Sequence, residues 1–462
     1  MTKELLLKNN VHDLEFASIR KLLLKYFLPA FTGVIINSLY NIVDRIFIGQ
    51  GVGAYALTGL SAVFPVMLII MAFGMLIGMG AGVRISINMG KKDFNRAELV
   101  LGNALILIFI VSIFVTILGF VIKTPMLRLF GAGETTIGYA NDYLNIILLG
   151  TILNTTGFSL NNIIRSEGNA KIAMYSMLIS AGTNLILDPI FIFVFDMGVK
   201  GAAYATVISM FILCVWVLFH FRSERSVIKI RLKNLRLEPE IIWYIVTIGF
   251  APFAMQIASS FVQGTLNTQL IKYGGDLAVG AMGIINSVAM FLIMSIIAIN
   301  MAAQPIIGFN YGAKLYSRVK DTLFIAMKAA TLIAVGGWLI VELFPGIIVK
   351  AFNTDNTELF EIGIRGLRIL LIALPIIGFQ IIVGNYFQSI GKAKISALLS
   401  LLRQVLLLIP AILIFPRFWG LNGVWISAPI CDSISAMIVS VFLFRELKRL
   451  NFLIKKQETN SE

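Results

Sequence analysis

The chain alternates long apolar stretches with short polar ones, and most apolar stretches reach the roughly 20 residues a helix needs to cross the hydrocarbon of a bilayer. About twelve spans can be marked, at 24–48, 54–88, 97–122, 138–163, 172–195, 201–221, 240–271, 277–309, 320–344, 364–387, 395–416 and 422–444. Several exceed the length of a crossing, which such spans accommodate by tilting, bending or projecting past the headgroups. The pattern predicts an all-α polytopic membrane protein.

Polar residues interrupt these spans at helical spacing. In the first, LKYFLPAFTGVIINSLYNIVDRIFIG, Asn37, Asn41 and Asp44 fall at i, i+4 and i+7 and share a face. An unpaired aspartate in hydrocarbon costs roughly 3 kcal/mol or more, so Asp44 faces protein or a wet cavity unless Arg45 or an interfacial depth solvates it. The fifth span, IAMYSMLISAGTNLILDPIFIF, carries Ser176, Ser180, Asn184 and Asp188 at successive i+4 steps. Pro189 follows, lacks an N–H and pushes on the carbonyl of Leu185, which predicts a kink beside the acid. The alternative is an acid near the outer interface that meets water, since Asp196 is close behind it. Thr206 and Ser209 in the sixth span would, taken singly, bond their own helix. Together, two carboxylates, an amide and a hydroxyl offer the oxygen ligands a hard cation such as Na+ prefers. A carboxylate withdrawn from water can equally carry a proton. The residues alone do not choose between these ions.

Met67, Met71, Met75 and Met79 in the second span recur at i+4, a flexible stripe that either lines a binding surface or packs. Gly74, Gly78, Gly80 and Gly82 of the same helix read as close helix packing, because no strand precedes them. Arg84 and Arg403 are placed to snorkel to headgroups. Asp432 lies about ten residues into the last span and calls for a polar partner or the central cavity.

Composition removes other classes. Of 462 residues 58% are hydrophobic and 13% charged, against about 25% charged in soluble domains. A net charge of +14 would suit nucleic acid, but the basic residues sit in short segments between spans, so membrane lipid and topology explain them and no nucleic-acid partner is expected. Cys214 and Cys431 lie in apolar runs as buried thiols, and His12 and His220 cannot build a His-based metal site. No removable signal peptide is expected. Lys and Arg gather at Arg20 and Lys21, Lys91 to Arg96, Arg165 to Lys171, Arg222 to Arg236, Lys314 to Lys320, Lys392 to Lys394 and Arg445 to Lys456, all on one side of a twelve-span arrangement. The positive-inside rule then puts both termini in the cytoplasm, with the chain a monomer in the cell (inner) membrane. No cofactor is called for.

The chain also repeats itself. NMGKKDFNRA at Gly90 matches NYGAKLYSRV at Gly312, a shift of 312 − 90 = 222, and RSEGNAK at Gly168 matches QSIGKAK at Gly391, a shift of 223. Pro29 pairs with Pro252 and Pro189 with Pro410. Two six-span halves follow, 1–221 and 240–446, joined by a basic linker at 222–239 and ending in a tail at 447–462. An even number of spans makes the repeats parallel, with a cavity expected between them. Asp44 aligns with Asn267 and Asp188 with Ile409, so the acids survive only in the first half, where one ion or proton site is expected.

NIVDRIFIG, NMGKKD, RSEGNAK, NLILDPIFIF and GAAYATVIS, with their spacing, resemble the multidrug and toxic compound extrusion (MATE) transporters, most closely the bacterial multidrug efflux branch. The resemblance implies two six-helix lobes in a V and a secondary active antiporter. Such an antiporter exports diverse, often cationic and aromatic drugs or toxic organic cations, driven by Na+ or H+. It carries the family's cation site to Asp44, Asn184, Asp188 and Thr206, with Tyr143 a looser match, and the bending proline to Pro29 beside a second candidate hinge, Pro189. Asn37, Asn41, Tyr143, Ser180, Met71, Gln256, Asn267 and Asp432 are the candidates for a substrate cavity. The seventh span holds Gln256, Gln263 and Asn267 where some members have a glutamate, which favours the first half. The rivals are a flippase for lipid-linked oligosaccharide or peptidoglycan precursors, which tends to have fourteen spans or a more cationic cavity, and a membrane-embedded transferase. The latter needs a metal-binding carboxylate pair or a catalytic histidine set that no loop supplies. An enzyme is not expected.

Overall fold

The computed structural model describes residues 12–351 and 357–459; both chain ends and part of the FNTDNTELFE loop lie outside them. The described residues form helices and no strands, as lipid demands of a chain whose spans must satisfy their own backbone N–H and C=O groups. In the first half these are α1 (Ile19–Gly51), α2 (Ala54–Gly90), α3 (Phe94–Leu129), α4 (Ile137–Leu149), α5 (Thr151–Ser166), α6 (Ala170–Pro189) and α7 (Gly198–Arg222). There follow α8 (Pro239–Gly312), α9 (Tyr316–Leu343), α10 (Pro345–Lys350), α11 (Thr357–Leu371), α12 (Leu374–Ser389), α13 (Ala393–Leu401), α14 (Ile409–Ile414) and α15 (Pro416–Thr459). π turns at Ile190–Val194 and Leu402–Leu408 extend α6 and α13. The backbone of α8 breaks at Gly275, giving two spans. Pairs α4–α5 and α11–α12 bend by 58° and 45°, and with each pair counted as one crossing the described residues hold 12 apolar spans, at the places read from the sequence.

The duplication reaches into backbone conformation. Positive φ occurs at Gly53 and Gly275, Lys92 and Lys314, Gly168 and Gly391, and Gly198 and Gly420. Their separations are 275 − 53 = 222, 314 − 92 = 222, 391 − 168 = 223 and 420 − 198 = 222. At Lys92 and Lys314 the left-handed turn is adopted without a glycine, at φ 62° and 61°.

The chain folds into two compact units, one built on Leu28–Ile257 and one on Ser18–Phe27 with the chain from Ala258 onward. In the first, α2 is the hub. Lipid gives apolar helices no hydrophobic reason to associate, so close packing at small residues must hold them. A Cβ on Gly78 would lie 2.7 Å from the Ser159 backbone on α5, and one on Gly82 2.4 Å from Ser166 Oγ. Ser159 and Ser86 hydroxyls donate across the same contact to the carbonyls of Gly74 (3.0 Å) and Ser166 (2.8 Å). Gly80 faces the start of α8 instead, where its Cβ would meet the Ile245 carbonyl at 2.1 Å, and Gly249 answers it against the Leu76 carbonyl at 1.7 Å.

The basic linker is strapped to this unit. Glu98 on α3 accepts from the Lys229 N–H (3.2 Å) and pairs with Arg231 (2.5 Å), while Asn103 Oδ1 accepts from the Glu238 N–H at 2.7 Å. Glu167 is fully buried and takes His220, Ser226 (2.9 Å) and Asn169 (2.7 Å) as partners.

Two arginines depart from expectation. Arg84 does not snorkel: its guanidinium lies 4.2 Å over the Tyr244 ring and 3.7 Å from Glu240, which also pairs with Arg96 at 2.7 Å. In the second unit Arg403 is ion-paired with buried Asp432, whose carbonyl accepts from Gln380 at 2.5 Å. In both cases an opposite charge within reach on another helix replaces the headgroup. Glu446 of this unit pairs with Lys392 and, at 3.3 Å, with Arg449.

Candidate functional site

On α1, Gly33, Asp44 and Gly51 are 11 and 7 residues apart, which at 3.6 residues per turn puts all three within about 20° of one another. Gly33 and Gly51 let α1 approach closely: their Cβ atoms would lie 2.9 Å from Met177 Sδ on α6 and 2.4 Å from Ile192 in the π turn. Phe47 meets Phe193 edge-on at 6.1 Å between them. The small residues thus lay α1 along α6 and its π turn, and Asp44 is carried to Asp188.

The two carboxyl groups come near enough for each to act on the other's charge. Two like charges this close repel, and a proton or a cation between them relieves that repulsion. Asn184, one turn before Asp188 on α6, donates from Nδ2 to Asp188 Oδ1 at 3.3 Å and to Thr206 Oγ1 on α7 at 3.4 Å. Tyr143 on α4 is buried close to Thr206 and to both acids. Asp188 and Asn184 are each 1% exposed. Two buried oxygens in the cluster, Asp44 Oδ1 and Asn184 Oδ1, have no donor among the described residues. Such orphaned acceptors are destabilising unless something positive meets them. Arg45 does not fill that role directly, for it is exposed and sits 5.0 Å over the Phe64 ring. The donor set is all oxygen, which fits a hard monovalent cation as well as a proton. The kink expected at Pro189 takes the form of the π turn directly after Asp188, a widening that often marks functional positions.

The other sequence candidates are dispersed. Ser180 donates to the Ser209 carbonyl at 3.3 Å, one layer from Thr206, whose own carbonyl accepts from Ser209 at 2.7 Å. Asn41 donates to the Asn37 carbonyl of its own helix at 2.7 Å, and the Asn37 side chain is exposed. Met71 on α2 and Gln256 on α8 are half-buried in the first unit. In the second unit Asn267 accepts from Gln263 at 3.4 Å, and Asp432 is sealed against Arg403. Pro29 is buried, one residue after α1 enters the first unit at Leu28. Tyr40 was not singled out from the sequence, yet it adjoins both acids. Its signal was the i−4 spacing from Asp44. The buried Glu167–His220 pair was also missed, because a lone histidine near a helix end carries no motif.

Comparison with known proteins gives the family of the chain. The MatE family profile matches twice, at residues 29–190 and 252–413, offset by 223 at both ends. The multidrug export protein MepA of Staphylococcus aureus (strain MSSA476) is 27% identical over 434 residues, covering 94% of this chain and 95% of its own. Among solved structures, the MATE multidrug transporter DinF-BH in complex with a small-molecule dye superposes with a TM-score of 0.87 at 39% identity, covering 92% of this chain and 95% of that one. An outward-facing multidrug resistance MATE transporter of the MOP superfamily gives 0.89 at 27% identity, covering 96% and 98%. The doubled profile covers both halves and both acids of the α1–α6 cluster; the chain belongs to the MatE family and is a MATE transporter, not an enzyme.

Proposed function

We propose that the protein couples export of chemically diverse small molecules, often cationic and aromatic, to inward movement of Na+ or H+ at Asp44, Asp188, Asn184 and Thr206. Export of many compounds is what the name of MepA states of that relative, and a bound dye is what DinF-BH holds. The observation that carries the reading is the approach of carboxyl groups from α1 and α6 in a cluster where Asp44 Oδ1 and Asn184 Oδ1 are buried without a donor. With a cation or proton present, the pair is neutralised and α1 rests on α6. With it released, two like charges in contact repel, and the state that separates them is favoured. Pro29 in α1 and the π turn after Pro189 are the places where the helices can absorb that separation. Tyr143 and Tyr40 flank the pair as hydroxyl partners. The positive-inside rule favours a cytoplasmic side for the basic loops and both termini, and on that orientation the driving ion arrives from outside. The transporter works as a monomer in contact with lipid.

The test is efflux of a fluorescent organic cation from inverted vesicles under an imposed Na+ gradient and, separately, a proton gradient. One gradient is expected to drive transport in the parent protein. Asp188→Asn should reduce gradient-driven transport about tenfold or more, the factor carried by only about 1.4 kcal/mol of coupling, while remaining folded. Transport at the parent rate in that variant rejects the site.

A further inference from the structure

Outside the ion site, the first unit has a groove on its surface between α3 and α7, roofed by the linker. A cavity of about 550 Å³ is walled by Leu105 and Phe109 of α3 and Val215 and Phe219 of α7, with Arg222 and Leu235 at one end. A second cavity of about 230 Å³ shares Val215 and Phe219 and continues along α7 to Phe211 and Trp216. From Arg222 to Phe211 is 11 residues, about 16 Å of helix, close to half of the roughly 30 Å hydrocarbon thickness. The groove is therefore one leaflet deep, apolar along its length, and cationic at the end where the headgroups lie.

The roof has matching chemistry. The linker segment RLKNLRL alternates basic and apolar residues, and Leu232, Leu235 and Leu237 are exposed, Leu232 to 85%. In water such leucines have no partner, but at a membrane interface they enter the acyl boundary while the basic residues stay with phosphates. Arg231 and Arg236 are occupied by Glu98 and Glu238. Among the described residues no acid pairs with Arg222 at the rim or with Lys233, two residues before the lining Leu235, so both cations stay free for an anion.

We propose that this groove is a binding site for an anionic glycerophospholipid of the leaflet facing the basic loops: one acyl chain lies along Phe219, Val215 and Phe211, and the phosphate meets Arg222. The assignment does not depend on which ion drives transport. An uncharged or zwitterionic lipid would fill the same walls but leave the guanidinium and Lys233 without a net negative partner.

Trp216 in the lower cavity provides a local probe. The protein is reconstituted in phosphatidylcholine vesicles, and tryptophan fluorescence is titrated with phosphatidylglycerol or phosphatidylcholine brominated on the acyl chains. The Trp216→Phe variant is measured in parallel, and the difference isolates Trp216. Quenching of Trp216 by the anionic lipid is expected at about fivefold lower mole fraction than by the zwitterionic one, the factor a single cation contributes at an anionic headgroup. Arg222→Gln should abolish the preference and Arg222→Lys retain it, both leaving total fluorescence unchanged. Equal quenching by the two lipids, or a preference that survives Arg222→Gln combined with Lys233→Gln, overturns the site and leaves only ordinary boundary lipid.

Discussion

At the proposed ion site, Thr206 shows what a single hydroxyl contributes. Its hydroxyl takes the Asn184 amide at 3.4 Å, so it ties α7 to the amide that also reaches Asp188. Thr206→Val keeps the shape and deletes the oxygen. The amide then loses one of its two partners, and the loss of a buried hydrogen bond of about 1–2 kcal/mol should weaken apparent ion affinity by about tenfold. Because no carboxylate is removed, the maximal efflux rate at saturating ion should be nearly preserved. Ion titration of efflux separates the two quantities, and an unchanged half-saturation concentration would show that the hydroxyl does not serve the ion. Asp44, Asn184, Asp188 and Thr206 are legible in the sequence as candidates because polar residues inside apolar spans stand out. Tyr40 was not, since an aromatic ring in such a span looks like packing until its hydroxyl is placed beside an acid.

At the scale of helices, glycines decide where spans meet. The crossing of α2 with the start of α8 is the tightest case, with Gly249 and Gly80 each set against a carbonyl of the other helix. Backbone cannot rotate away as a side chain can. Gly249→Ala should therefore push the helices apart and cost about 1–3 kcal/mol, lowering the thermal midpoint in detergent by several degrees. Gly283→Ala, on the second span of α8 with nothing within 4 Å of its Cβ, is the control and should hold or raise the midpoint. Equal midpoints for the two variants would mean that the crossing carries no stability. Spans and their order were legible because an apolar run of bilayer length has few readings. The 58° bend at Gly150 and the two π turns were not, because one inserted residue or one small residue leaves hydropathy unchanged. Arg403 shows the same limit: its depth could be read, but not that Asp432 waits on another helix.

At the scale of the whole chain, the duplication was visible in loops and prolines and recurs in the left-handed residues from Gly53/Gly275 to Gly198/Gly420. The division at Ile257 was not visible, for composition changes at the linker while α8 runs on as one apolar helix. The sidedness of the molecule rests on charge alone, so it needs its own test. Lys233 in the linker and Glu134 between α3 and α4 are both exposed, and the α4–α5 pair, α6 and α7 lie between them. Three crossings are odd, so the two positions belong on opposite faces of the membrane. Native Cys214 and Cys431 are buried and should react little. Glu134→Cys should then react with a membrane-impermeant maleimide in intact cells, and Lys233→Cys only after permeabilisation. The reverse pattern would place the basic loops outside, against the strong bias that keeps Lys and Arg on the cytoplasmic face, and would turn the proposed direction of ion entry around. Labelling of both positions from one side would contradict the odd count, which requires the bent α4–α5 pair to act as a single span rather than as two half-helices that return to the face they left.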